Sequence, residues 1–482
     1  MKNKIFNIFK KNDFILVTIS TVISAFVSFL YSVFAKRYVM PLEYGIFSTC
    51  LLLQTYLNYA QLGVLSAFNR DYPQLIGQKR REDSLQLRDT TLSYVWLIFG
   101  GIAFLGTIAI IGMYRINVLS FEYAIGYSVV LWLILIENTA SFCMYTTRII
   151  GEYNYSAIVN IVKTIVSLVI GLIAVVKWGY YGLFFMPLVG AGISILMYWK
   201  CCMKDFRFAL HFKVLKNSAL SGLPLMVNSF VWTVMQSIDK FVILAFMDTE
   251  ALGIYTVPLL GFSTMVLIPQ TISQVFYNKI SILYGETKNE ILLIKKCEYY
   301  TWIVGICAAL VSVVAYYILP IFVEIVMPNY KDGVGPAQIL IIGVAIYSTT
   351  MLYSNVFSVL KLNRDLLLSS VIVCLFNVIF SVGFVLLNGR EIGNVAFGTS
   401  VSYVMYSFTL LFWINKKFGV KMKGLLSSSW MPLFLIIIPP LVLYYSGVQI
   451  VIAFIVSIIW VLIMGGIFYK KKIVDDKGES YE

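Results

Sequence analysis

Histidine is all but missing from this chain: His211 is the only one in 482 residues. Zinc spacings and Cys–His or Ser–His nucleophile arrangements therefore have nothing to be built from, and no catalytic or metal-ligating residue is expected. Charge is scarce too, at 13% of residues against roughly 25% in soluble domains. A soluble chain of this length would divide into several domains and need far more charge to cover them. Disorder is excluded as well, since it requires low hydrophobicity and high net charge. No glycine-rich cradle for ATP phosphates occurs. The 7 cysteines, at positions 50, 143, 201, 202, 297, 307 and 374, follow no disulfide or zinc framework, so no bridge is expected. Vicinal Cys201 and Cys202 read as chance placement rather than an acylation site. Met1-Lys2-Asn3-Lys4 precedes an apolar run too long for a signal peptide and without a cleavage site, so it opens the first span.

What the chain has in abundance is apolar sequence, 60% of residues, with mean hydropathy +0.84. Runs of about 20 residues cross a ~30 Å hydrocarbon core as helices. They fall at approximately 14–35, 44–68, 91–113, 124–144, 157–176, 182–199, 221–247, 252–275, 299–319, 337–360, 366–387, 394–414, 431–446 and 448–469. Among 37 basic and 24 acidic residues, only Glu137, Lys163, Asp239 and Lys240 lie inside these runs. The expected fold is therefore an all-α polytopic membrane protein with about fourteen transmembrane helices. With the amino terminus inside, the inner connections hold most of the Lys and Arg, and six such residues remain outside. That bias satisfies the positive-inside rule and puts both termini in the cytoplasm. The net charge of +13 thus reflects topology and contact with anionic lipid, so nucleic acid is not expected as a partner. Lys36 and Arg37 break the bias and read as a solvated outer edge.

The sequence repeats itself at an offset of about two hundred and ten residues. Leu42-Glu43-Tyr44-Gly45-Ile46-Phe47 after the first span is echoed by Thr249-Glu250-Ala251-Leu252-Gly253-Ile254-Tyr255 after the seventh. Trp178-Gly179-Tyr180-Tyr181-Gly182 before the sixth is echoed by Gly389-Arg390-Glu391-Ile392-Gly393 before the twelfth. The long inner loops 69–90 and 276–298 correspond as well. Six spans per half is an even number, so the halves are parallel repeats, an arrangement suited to alternating access. The expected organisation is an N-terminal six-helix lobe with a basic cytoplasmic linker (1–216), a C-terminal six-helix lobe (217–416), and an extra helix pair with a cytoplasmic tail (417–482).

Polar residues concentrate on spans 1, 2, 7 and 8. Span 1 carries Thr21, Ser24, Ser28 and Tyr31 at helical spacing; span 2 carries Gln54, Asn58 and Gln61. Span 7 carries Asn228, Trp232, Gln236 and Asp239-Lys240; span 8 carries Ser263, Gln270 and Gln274. Small hydroxyl residues are expected to join helices, whereas the amides and charges suit a hydrated lining. Glu137 and Lys163 sit at similar depth, either as a salt bridge pinning two helices or as a protonatable pair for ion coupling. Adjacent Asp239 and Lys240 point about 100° apart on a helix, so one faces a cavity while the other seeks a partner. Lys240 is the candidate contact for an anionic substrate. Asp239 is a candidate to orient it, to bind a cation, or to hydrogen-bond sugar hydroxyls. At the inner mouths, Arg70 and Lys279 are candidates for engaging a diphosphate.

The chain resembles the multidrug/oligosaccharidyl-lipid/polysaccharide exporter superfamily, and within it the polysaccharide repeat-unit (Wzx-like) flippases of O-antigen and capsule synthesis. The matching residues are Glu43-Tyr44-Gly45, Leu62-Gly63-Val64-Leu65-Ser66-Ala67 with Arg70, Leu223-Pro224-Leu225, Asp239-Lys240 and Gly253-Ile254-Tyr255. The resemblance implies an ATP-independent carrier in the bacterial cytoplasmic membrane. Its substrate would be an undecaprenyl-diphosphate-linked oligosaccharide, its coupling ion H+ or Na+, with no other cofactor. Partners would be the bilayer, a polysaccharide polymerase and glycosyltransferases. Three alternatives stand beside it. A cation-coupled multidrug exporter would carry an acid in span 1, and 14–34 holds none. A lipid II flippase would place Arg within spans 1, 2 and 8, which have none. A membrane polymerase or acyltransferase would need a catalytic outer loop, and the largest, 320–336, offers only Glu324, Tyr330, Lys331 and Asp332 as ionisable residues.

Overall fold

Apolar runs bounded by charge fold as helices because hydrocarbon offers their N–H and C=O groups no other partner. The computed structural model follows that rule, with no strand among its described residues. It describes the backbone of residues 2–202, 206–445 and 450–478. Side chains are described between residues 16 and 467, apart from 440–451 and scattered helical positions, Asn228 among them. Among the described residues, eleven stretches are long and apolar enough to cross a membrane by length and composition. Large apolar side chains such as Phe104, Leu105 and Leu387 stand exposed, as lipid-facing positions do. The protein is a multi-pass membrane protein.

Two compact units divide the chain, residues 1–233 and 234–482. The first contains α1 (Lys2–Tyr38), α2 (Pro41–Leu57), α3 (Val64–Gly77), α4 (Arg81–Arg115) and α5 (Phe121–Ile149). It continues with α6 (Tyr153–Trp178), α7 (Phe185–Cys202) and the first part of α8 (Phe212–Phe246). Here α4 packs on α5, α5 on α7, α6 on α7, and α2 on α5. The second unit takes the rest of α8, then α9 (Thr249–Thr287), α10 (Glu290–Val326), α11 (Val334–Val359), α12 (Asn363–Asn388) and α13 (Ile392–Phe418). Its pairings are α10 on α11, α11 on α13, α12 on α13 and α9 on α11. These are the same four pairings one repeat later, so the duplication read from turn residues is also a duplication of packing. Each unit's last hairpin needs a close approach: Gly171 of α6 lies against Met186, and Gly398 of α13 lies against Ser381.

The added pair is α14 (Met422–Tyr445) and α15 (Ile450–Gly478). A hydroxyl seam joins α14 to α11 within the second unit. Tyr353 and Ser428 share a 2.8 Å hydrogen bond, and the Thr349 hydroxyl donates to the Ser429 carbonyl at 3.0 Å. Side-chain hydroxyls serve here because water is absent as an alternative partner.

Three features differ from the sequence reading. The second span is not one helix: α2 ends in a short 3-10 turn, Asn58–Gln61, and Leu62 and Gly63 turn left-handed before α3. A β-carbon on Gly63 would strike the Gly222 backbone at 2.5 Å, so the break is where two backbones cross. Lys36 is not a solvated edge but 1% exposed. Its Nζ donates to the Ser32 hydroxyl at 2.8 Å and lies 4.1 Å above the Tyr44 ring, because α1 continues to Tyr38 and turns the lysine stem inward. Finally, Cys143 and Cys202 form a disulfide with 5.2 Å between their Cα atoms. Their separation of 59 residues offers no spacing signal; only the packing of α5 on α7 brings them together.

The linker after α7 is docked rather than loose where it is described. Ala209 N–H donates to the Ser93 hydroxyl at 3.0 Å, and His211 N–H to that of Thr90 at 3.4 Å. Phe206 meets the Trp96 ring edge-on. Substituting Ser93→Ala together with Thr90→Val removes both acceptors, and trypsin cleavage at exposed Arg207 is expected to quicken severalfold. An unchanged cleavage rate would mean that these bonds do not hold the linker.

Candidate functional site

Within the first unit the amides of span 2 are spent on α5. Gln54 Nε2 donates to Glu137 Oε2 at 2.5 Å, and Asn138 Nδ2 donates to Asn58 Oδ1 at 2.8 Å. Gln61 presents a buried Oε1 that no described residue bonds. Glu137 and Lys163 line one cavity of about 430 Å³, walled by α1, α5, α6 and α7. No ion pair within 4.0 Å joins them among the described residues. Of the two arrangements the sequence left open, a tight salt bridge is not the one found. Across the cavity Asn160 Nδ2 donates to Ser24 Oγ at 2.9 Å, and Ser24 and Thr164 hydroxyls lie 3.0 Å apart.

The second unit holds a different cluster, centred on Asp239 of α8, which is 4% exposed. Tyr255 of α9 donates its hydroxyl to Oδ2 at 2.7 Å; Thr399 of α13 donates to Oδ1 at 2.6 Å; Asn377 of α12 approaches Oδ1 at 3.5 Å. Asn377 Oδ1 in turn accepts from Ser381 at 2.9 Å. The Thr399 hydroxyl also lies 3.1 Å from the Val395 carbonyl. Four helices thus converge on one carboxylate with amide, hydroxyl and carbonyl oxygens around it. A carboxylate with hydroxyl oxygens and an amide beside it suits a proton or a small hard cation. Helix geometry then turns the neighbouring Lys240 away, and it is half-buried.

The remaining candidates are dispersed. Arg70 makes a two-pronged pair with Asp71, at 2.6 and 3.0 Å, and reaches the Ser221 carbonyl at 3.4 Å. The Asp71 hydrogen bonds hold its guanidinium pKa above the ordinary value. Lys279 is exposed, its Nζ 5.8 Å from the Phe276 ring. Gln236 and Gln270 are exposed, and Asn228 lies outside the described side chains. Sequence reasoning missed Asn160, Asn377 and Thr399. Asparagine in the middle of an apolar span was the available signal for the first two; a threonine in a helix carries none.

The fold is a two-unit helical membrane bundle, and solved structures of transporters align with most of the chain. "Lipid II flippase MurJ, inward closed conformation" matches with TM-score 0.72 and 18% identity, covering 95% of this chain and 100% of that one. An inward-facing multidrug resistance MATE transporter matches with TM-score 0.66 and 15% identity, covering 82% and 94%. A transporter of the same superfamily from Pyrococcus furiosus, described as having a binding pocket of reversed polarity, matches with TM-score 0.57 and 16% identity, covering 86% and 96%. At such identities the likeness is one of fold. No curated protein matches in sequence. The family described as "Polysaccharide biosynthesis protein" matches residues 33–327, more than half of the chain, and the protein belongs to that family.

Proposed function

We propose that this protein flips an undecaprenyl-diphosphate-linked oligosaccharide repeat unit from the inner to the outer leaflet of the bacterial cytoplasmic membrane. Both termini lie in the cytoplasm, and the moving parts are the six-helix lobes 1–216 and 217–416, with 417–482 as an accessory pair. Family membership supports the substrate side of this reading. The observation that carries the transport side is Asp239 of α8, a buried carboxylate to which three further helices contribute donors. A charge at the middle of a bilayer costs about 2.5–3.5 kcal/mol on the insertion scale, so such residues are rare and mark functional sites. Binding of H+ or Na+ at Asp239 would change how tightly α9, α12 and α13 hold α8, and so couple an ion gradient to the bundle's shape. Arg70 in the first unit, and Lys240 and Lys279 in the second, are the cations offered to the diphosphate. Glu137 is a second exchangeable acid, in the first unit.

The direct test is replacement of the repeat-unit carrier in a strain that lacks its own. Wild-type chain is expected to restore surface polymer; absent polymer despite normal membrane expression would refute the reading. Glu137→Gln and Lys240→Ala should each lower export severalfold without loss of membrane insertion, and wild-type export by both would remove these residues from the mechanism.

A further inference from the structure

The cavity of the first unit offers more than the exchangeable acid Glu137. Its volume, about 430 Å³, lies in the range of roughly 300–1,000 Å³ typical of small-molecule sites. Its walls carry one cation, Lys163, and one acid, Glu137, which do not pair within 4.0 Å among the described residues. Glu137 receives one hydrogen bond, from Gln54, and Lys163 makes none among the described residues. The same lining includes Ser24, Asn160, Thr164 and Ser194, a set of hydroxyl and amide groups.

From this arrangement we infer that the cavity is a headgroup subsite for a net-neutral sugar bearing an N-acyl group. The inference rests on the flippase reading and names part of its substrate. Charge balance decides the class. The cavity lining holds one basic and one acidic side chain, so a diphosphate or a uronic acid would add negative charge that the lining does not balance, which is costly within the membrane. An amide carries a donor and an acceptor on opposite edges: its N–H can give to the Glu137 carboxylate while its carbonyl accepts from Lys163 Nζ. A bond to a charged group is worth more than one between neutral groups. The hydroxyl and amide lining then meets the ring hydroxyls. A sugar with a hydroxyl in place of the acylamino group cannot span both charges as well.

Saturation-transfer NMR on the full-length protein in lipid nanodiscs tests this, with methyl glycosides of N-acetylglucosamine, glucose and glucuronic acid and with inorganic pyrophosphate as probes. The N-acetyl glycoside is expected to bind about tenfold or more tightly than the glucose glycoside. Lys163→Met should abolish that preference, Lys163→Arg should retain part of it, and Ser194→Phe, which fills the cavity without changing charge, should abolish binding. Equal binding of the glucose glycoside, preference for glucuronide or pyrophosphate, or a preference that survives Lys163→Met would each overturn the proposal. Should Lys163→Met or Ser194→Phe fail to fold, the wild-type probe ranking still decides. Transport by the wild type without this ranking would sink the inference alone; the ranking without transport would sink the flippase reading alone.

Discussion

Asp239→Asn is expected to reduce polymer export by more than tenfold while leaving a folded protein in the membrane. The substitution keeps the shape of the side chain but replaces one acceptor oxygen with an amide. That amide can serve only one of the two hydroxyl donors, Tyr255 at 2.7 Å and Thr399 at 2.6 Å. It also removes the only charge in the shell able to hold H+ or Na+. Asp239→Ala goes further, since the Tyr255 hydroxyl is then orphaned in a buried place, at about 1–3 kcal/mol, while Thr399 keeps the Val395 carbonyl. A clear fall in melting temperature in detergent is expected for the alanine variant and a small one for the asparagine variant. Thr399→Val should show the same order of effects more weakly. Near-normal export by Asp239→Asn would show that Asp239 is structural and would end its role in coupling.

The second large effect is expected at Gly222. Its α-carbon faces the Gly63 carbonyl so closely that any β-carbon would collide with backbone. Backbone cannot change rotamer to make room, so overpacking here should reach or exceed the usual ~1–3 kcal/mol. Gly222→Leu would push the start of α8 from the α2–α3 break. The contacts that flank the crossing would part with it: Arg70 to the Ser221 carbonyl on one side, and Tyr59 to the Ser229 carbonyl and the Thr233 hydroxyl on the other. Loss of thermal stability and of export are both expected. Gly63→Ala should be nearly as damaging, because its φ of +76° adds strain of about 1–2 kcal/mol for any L side chain. A Gly222→Leu variant with wild-type melting and export would show that the crossing opens freely.

These two sites differ in how far the sequence reveals them. Asp239 stands out in any reading, because a carboxylate inside an apolar run demands an explanation. Its partners do not, because Tyr255, Asn377 and Thr399 are scattered over 144 positions and meet only when α9, α12 and α13 pack. Gly63 and Gly222 are ordinary glycines on paper. Gln54 and Asn58 show the opposite limit: their helical spacing says that they share a face, yet not that the face would meet Glu137 and Asn138 of α5.

By itself the sequence determined the membrane environment, the run of helices, the twofold repeat and the four intramembrane charges. Those properties follow from hydropathy and charge along a single strand of chain, where solvation in hydrocarbon leaves little choice. Tertiary structure alone decided that Lys36 turns inward, that Cys143 reaches Cys202, that the second span breaks, and which oxygens gather around Asp239. Each depends on distances between helices remote in sequence, and side-chain periodicity fixes a direction around one helix without naming the neighbour it will find there.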